Sequence, residues 1–126
     1  MRIGFTGSRD GMTESQMLKL RSEFESRKPS EFHHGDCLGA DSDAHVIARL
    51  FSDASIHVHP PKVKTMAANL IGSVNYAPKD YLERNKDIVN MCDVLIAAPS
   101  RPETQRSGTW STVRYAKKIN KPIVIL

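Results

Sequence analysis

The chain has 126 residues, 40% of them hydrophobic, and its 18 Lys and Arg outnumber its 14 Asp and Glu. That length fits one domain able to bury its own core without a disulfide or a metal, and no basic-then-apolar leader or bilayer-length apolar run excludes it from the cytoplasm. The formal charge of +4 suits an anionic ligand, but the basic residues are scattered, with no tract beyond Lys117-Lys118, which disfavours nucleic acid as the main partner.

Residues 2–6 form a short apolar strand. Thr13-Glu14-Ser15-Gln16 is a capping box, and the helix behind it aligns Met17, Leu20 and Phe24 before Pro29 stops it. A second strand occupies 31–35. A second helix runs from about Ala40 to Phe51, with Ala40, Ala44, Ile47 and Phe51 at helical spacing. Ser55 to His59 alternate as a third strand until Pro60-Pro61. From Tyr81 to Cys92, the positions Leu82, Asn85, Ile88, Val89 and Cys92 repeat as a helix face. Residues 93–98 make a continuous apolar strand of the kind parallel sheets bury. Trp110, Val113, Ala116 and Ile119 mark a last helix, and Lys121-Pro122 leads into a strand from Ile123 to Leu126. This alternation calls for a single α/β domain, residues 1–126, with a Rossmann-like doubly wound parallel sheet of about five strands and helices on both faces. Residues 62–80 are too long for an ordinary connection, so a partial helix over Ala67 to Ile71 or a lid is expected there.

Three apolar runs end in clusters of small polar residues that open helices: Thr6-Gly7-Ser8-Arg9, Gly35-Asp36-Cys37-Leu38-Gly39-Ala40-Asp41, and Pro99 followed by Ser107-Gly108-Thr109. In an open parallel sheet, the carboxyl ends of the strands form the ligand edge. Glycine lets backbone N–H groups approach a phosphate there, and helix N-termini favour its charge. Gly7, Ser8 and Arg9 supply N–H, hydroxyl and guanidinium donors for such a cradle, although the spacing is not that of a GxGxxG turn. Asp41, near a helix start, is favoured by the dipole whatever its function. Asp36 ends a strand and is a candidate for ribose hydroxyls. One N-cap explains only part of Ser107-Gly108-Thr109. Cys37 and Cys92 lack CxxC spacing and read as reduced thiols. His33 and His34, adjacent on a strand, face opposite ways, whereas His57 and His59 share a face. No metal site is expected from them. Trp110 packs on the sheet or, one turn into its helix, stacks on a base.

Thr6-Gly7-Ser8-Arg9, His34-Gly35-Asp36 with Gly39-Ala40-Asp41, Arg84-Asn85, and Ser107-Gly108-Thr109 together resemble the SLOG superfamily. That group includes the DNA-processing protein A (DprA) domain, the LOG-type phosphoribohydrolases and small stand-alone YspA-like proteins, the last being the nearest in pattern. The resemblance runs from residue 3 to about residue 120 and is weakest over 62–80. It implies a Rossmann-like fold that holds a nucleotide or nucleotide-derived ligand, as sensor, carrier or enzyme, in a protein that self-associates. Arg84 matches an arginine used by LOG-type enzymes. Their Gly-Gly-x-Gly-Thr turn and following glutamate are not kept: Arg106-Ser107 replaces the glycine pair, and Thr112 stands at the glutamate position. Threonine cannot act as a base at neutral pH, so cleavage of an N-glycosidic bond would need another carboxylate, Asp36 or Glu83. Three readings therefore stand: nucleotide binding without a further cofactor, N-glycosidic hydrolysis of nucleoside monophosphates, and DprA-like binding of single-stranded nucleic acid. The fold as bare scaffold for protein contacts is the bland alternative.

Overall fold

The computed structural model describes residues 1–126, arranged as six parallel strands and four α-helices. The strands are β1 (Arg2–Gly7), β2 (Glu31–His34), β3 (Ser55–Val58), β4 (Val74–Asn75), β5 (Val94–Ala98) and β6 (Ile123–Ile125). The helices are α1 (Glu14–Arg27), α2 (Ala40–Phe51), α3 (Tyr81–Met91) and α4 (Gly108–Lys118). The sheet order is β4-β3-β2-β1-β5-β6, so the chain winds outward from β1 in both directions.

Side-chain alternation along β5 shows how the sheet is clothed. Val94, Ile96 and Ala98 join the larger core, with Ile3, Phe5, Leu20, Phe24, Phe32, Ala44 and Ile47 from β1, α1, β2 and α2. Leu95 and Ala97 face the other way and pack with Val89 of α3, Cys92 just after it, and Val113 and Ala116 of α4. Both faces of β5 are buried, which is why its sequence is apolar throughout. Phe32 anchors the larger core, with its ring centroid 5.0 Å from Phe24 and 6.0 Å from Phe5.

Local chemistry sets the element ends. The Thr13–Gln16 capping box forms in both directions, at 3.1 and 3.0 Å, and α1 ends at Lys28 in a left-handed conformation just before Pro29. Gln16 is buried as well, because its amide donates to the Pro99 carbonyl at 2.8 Å.

The six-stranded sheet agrees with the expected sheet of about five, the additional strand being β4, two exposed residues at the edge beside β3 with no apolar pattern to announce them. Other expectations are corrected. Ala67 to Ile71 are not helical; the segment 62–80 holds one 3₁₀ turn, Lys64–Met66, and β4. Leu82 is 57% exposed while Arg84 is 4% exposed, so α3 buries a guanidinium where its periodicity suggested a leucine. Phe51 lies at the surface, under the Arg21 guanidinium at 4.1 Å from its ring centroid.

Candidate functional site

The strand order reverses between β1 and β5, since the chain leaves β1 toward β2 on one side and occupies β5 and β6 on the other. In doubly wound sheets, the crevice for ligands opens at that point, beyond the carboxyl ends of the strands. A cavity of about 560 Å³ lies there. Its walls include Gly7, Ser8 and Arg9 after β1, Gly35 after β2, Asp41 of α2, Arg84 and Asn85 of α3, and Ser107, Gly108 and Thr109 at the start of α4. The structure thus brings together ten of the residues singled out in the sequence.

Four others lie elsewhere. Gly39 and Ala40 sit behind the wall, where they build it. The Ala40 N–H donates to the Ser8 carbonyl at 2.9 Å. Gly39 has φ +92°, and a Cβ there would overlap the Arg9 carbonyl, so the β1 loop and the start of α2 touch only because the position is glycine. The Pro99 carbonyl is taken by Gln16. Asp36, the proposed ribose ligand, points away. It has φ +54°, and its carboxylate accepts the Leu70 N–H at 2.8 Å while its carbonyl accepts Ala68 N–H at 2.8 Å. Asp36 therefore tethers the 62–80 segment. That segment reaches the cavity through Met66, whose Sδ lies 3.4 Å from Arg9 Nη2.

The two helix N-termini at this edge are not equivalent. The first turn of α2 carries Asp41 and Asp43, and their carboxylates already accept Cys37 N–H and Met12 N–H at 3.1 and 3.0 Å. The first turn of α4 carries no acidic residue. Ser107 caps it by accepting the Trp110 N–H at 3.3 Å, which leaves the N–H groups of Gly108 and Thr109 at the cavity wall. The helix after β1 plays no part, since α1 begins only at Glu14 and has its own capping box.

Charge in the cavity is unbalanced. Arg9, Arg84, Arg101 and Arg106 line it against Asp10 and Asp41, and none of these six takes part in a salt bridge. Asp10 accepts the Ser8 and Ser100 hydroxyls at 3.3 and 3.2 Å. Arg84 is held from behind. Its Nη1 donates to the carbonyls of Gly35 and His59, the latter at 3.0 Å, and its Nη2 lies 3.5 Å from Cys37 Sγ. A Cβ on Gly35 would overlap this guanidinium, so glycine is needed for Arg84 to sit where it does. Two buried polar atoms lack any hydrogen-bond partner, Asp41 Oδ1 and Arg84 Nε. Burial pushes the Asp41 carboxyl up to about 6, against the pull of Arg84. Burial also raises the Cys37 thiol, which is therefore not an activated nucleophile.

Sequence reasoning missed Arg101, Arg106 and Tyr81 as cavity residues. Arg106 adjoins the Ser107-Gly108-Thr109 cluster, but nothing in the pattern placed Arg101 or Tyr81 at this edge. Trp110 packs against the smaller core, the first of its two expected roles, and it also lines the cavity, with its indole N–H donating to the Arg101 carbonyl at 3.0 Å. Thr112 is buried, and its hydroxyl donates back to the Gly108 carbonyl at 2.9 Å. Neither it nor Glu83 or Asp36 lines the cavity.

No protein-family model and no curated protein matches the sequence. Solved structures do. The molybdenum cofactor binding protein from the phototrophic bacterium Rippkaea orientalis aligns with a TM-score of 0.75 at 20% identity, over 98% of this chain and 74% of that one. The Moco carrier protein from Chlamydomonas reinhardtii aligns at 0.71 and 21% identity, over 99% and 75%. DprA from Streptococcus pneumoniae aligns at 0.71 and 18% identity, over 98% of this chain but 49% of the other. These likenesses establish the architecture: the chain shares the Rossmann-like α/β fold of these structures.

Proposed function

We propose that the chain binds a nucleotide or nucleotide-derived small molecule in the carboxyl-edge cavity, as a sensor or carrier. The observation that carries this reading is the set of four cavity arginines without a carboxylate partner, beside an α4 N-terminus free of acidic residues. An anion would sit on the N–H groups of Gly108 and Thr109, with Arg9 and Arg106 neutralising it. Asp41 Oδ1 would accept hydroxyl protons of the sugar. Trp110 and Tyr81, both at the wall, offer faces for a flat ring. The volume falls within the range of small-molecule sites, on the order of 300–1,000 Å³. Solved neighbours named for binding or carrying the molybdenum cofactor support a small-molecule role for this fold. The hydrolase reading finds no support at Thr112, Asp36 or Glu83, which stand outside the cavity.

A thermal-shift screen tests this with nucleoside mono- and diphosphates, ADP-ribose, cyclic nucleotides and a short single-stranded oligonucleotide. A ligand at about a hundred times its Kd raises the Tm by about 10 °C for a domain of this size. Such a shift with one small nucleotide, lost in Arg9→Ala, is the expected result. A shift with the oligonucleotide alone would replace the proposal by the DprA-like one.

A further inference from the structure

A second cluster of chemically capable side chains lies at the other edge of the sheet. Strands β2 and β3 run parallel in a register that sets Glu31 beside Ser55 and His33 beside His57. Alternation sends Phe32, Ile56 and Val58 into the α1/α2 core, so Glu31, His33 and His57 share the opposite face. There Glu31 Oε1 lies 2.8 Å from His33 Nε2 and 3.7 Å from His57 Nε2, and all three donor atoms fall within 4.8 Å of one another. The two imidazoles stack with centroids 4.3 Å apart.

We propose that Glu31, His33 and His57 form a binding site for a divalent transition-metal ion of the zinc class. The donor set supports it. Two imidazoles and a carboxylate suit zinc and its neighbours, whereas magnesium and calcium prefer oxygen alone. With bonds of about 2.0–2.1 Å, ligand atoms of a tetrahedral ion stand about 3.3 Å apart, a spacing that the 2.8 and 3.7 Å separations bracket. The outer partners are also in place. His33 Nδ1 is 2.9 Å from His59 Nε2, and His57 Nδ1 is 2.9 Å from the Tyr76 hydroxyl, so each ring is oriented through its far nitrogen, as in established metal sites. Tyr76 in turn stacks on His59, with centroids 4.2 Å apart.

His57 Nε2 lies 3.7 Å from the carboxylate oxygen that meets His33, with the Ser55 hydroxyl at 3.3 Å as its hydrogen-bond neighbour. The side chain of Glu31 is 35% exposed, which leaves a path for the ion and room for water to complete its shell. Because Glu31 and Ser55 open their strands, the site sits at the amino edge, away from the arginine-lined cavity. It is independent of the nucleotide reading.

The test uses the untagged full chain, stripped with a chelator and titrated with zinc by calorimetry at neutral pH. One equivalent is expected to bind, with the Tm rising by about 10 °C at about a hundred times the Kd. Cobalt in place of zinc is expected to give the visible absorption of a low-coordinate nitrogen–oxygen site. Glu31→Gln and His57→Gln should each weaken binding roughly tenfold or more, while His45→Gln, on the opposite face, should bind as the parent does. Glu31→Gln keeps the shape of a partly exposed side chain, and its metal-free urea melt shows whether it folds. No zinc bound at micromolar concentrations, or equal binding by both cluster variants, overturns the proposal.

Discussion

Asp41→Asn separates what the buried carboxylate does for folding from what it does for a ligand. The carboxyl ionises near 3.8 in the unfolded chain and only at about 6 in the folded one, because burial outweighs the nearby Arg84 charge. Between those values the folded state holds more protons than the unfolded state. The stability that goes with the protonated carboxyl is thus present in acid, is lost as pH rises from 3.8 to about 6, and stays lost above. The full loss is about 3 kcal/mol, with about 1 kcal/mol of it already incurred by about pH 4.5. Asparagine keeps an oxygen for the Cys37 N–H but cannot ionise. Urea unfolding of the two proteins should therefore show the variant more stable, by a margin that grows by about 2 kcal/mol from about pH 4.5 to about pH 7.5. At neutral pH the gain corresponds to about 10 °C in Tm. The same substitution should weaken a nucleoside monophosphate while sparing inorganic phosphate, since Asp41 Oδ1 is assigned to hydroxyls. A gain in stability with a loss of binding is the mark of a residue kept for function. A stability difference that does not change with pH would refute the electrostatic reasoning, and equal binding of the nucleotide would refute the assignment.

Two further tests address the frame of the cavity. Burial holds the His34 imidazole down at about 3, against the His45 ring, so its neutral form is the folded one. The stability it contributes is complete above 6.5 and is lost as pH falls toward 3, reaching about 2 kcal/mol by about pH 5. In an NMR titration, His34 should not protonate above about pH 5 while the protein is folded, and a midpoint near 6.5 would refute this. Gly35→Ala should push Arg84 from its carbonyl partners at a cost of about 1–3 kcal/mol and reduce nucleotide affinity. An unchanged urea midpoint would show that the guanidinium has room to move.

The fold was legible because its signals are local and mutually consistent. The Thr13–Gln16 box, the apolar run of β5 and the Ala40–Ala44–Ile47 stripe each have one physical reading, and alternating elements then dictate a parallel sheet. What escaped the sequence depended on tertiary partners. β4 is two exposed residues placed by pairing with β3. Arg84 is buried because carbonyls from two other strand ends receive it, and no helical periodicity encodes that. Asp36 and Asp41 look alike in sequence, two carboxylates in one glycine-bearing turn. A left-handed backbone at Asp36 turns the first toward Leu70, while the first turn of α2 aims the second at the cavity. The amino-edge cluster was half visible: alternation puts Glu31 and His33 on one face and His34 on the other, but only the β2–β3 register sets His57 beside them.

The charge count sharpens what the cavity selects. Four arginines against Asp10 and Asp41 give the lining a formal +2, half of the net +4 of the whole chain, gathered in one crevice. One of those arginines, Arg84, is held by the Gly35 and His59 carbonyls, and none of the four has to give up an internal carboxylate to meet a ligand. Preorganised charge of this kind favours an anion bearing one or two phosphates over a long polyanion. A single strand would instead track a groove lined by charge along its length, with aromatic faces for successive bases. Here two of the aromatic rings at the wall, Tyr81 and Trp110, lie in the first turns of α3 and α4, beside the N–H groups of Gly108 and Thr109. On the proposed reading, ring and phosphate would share this single small cavity, a layout that suits one nucleotide rather than a chain of them.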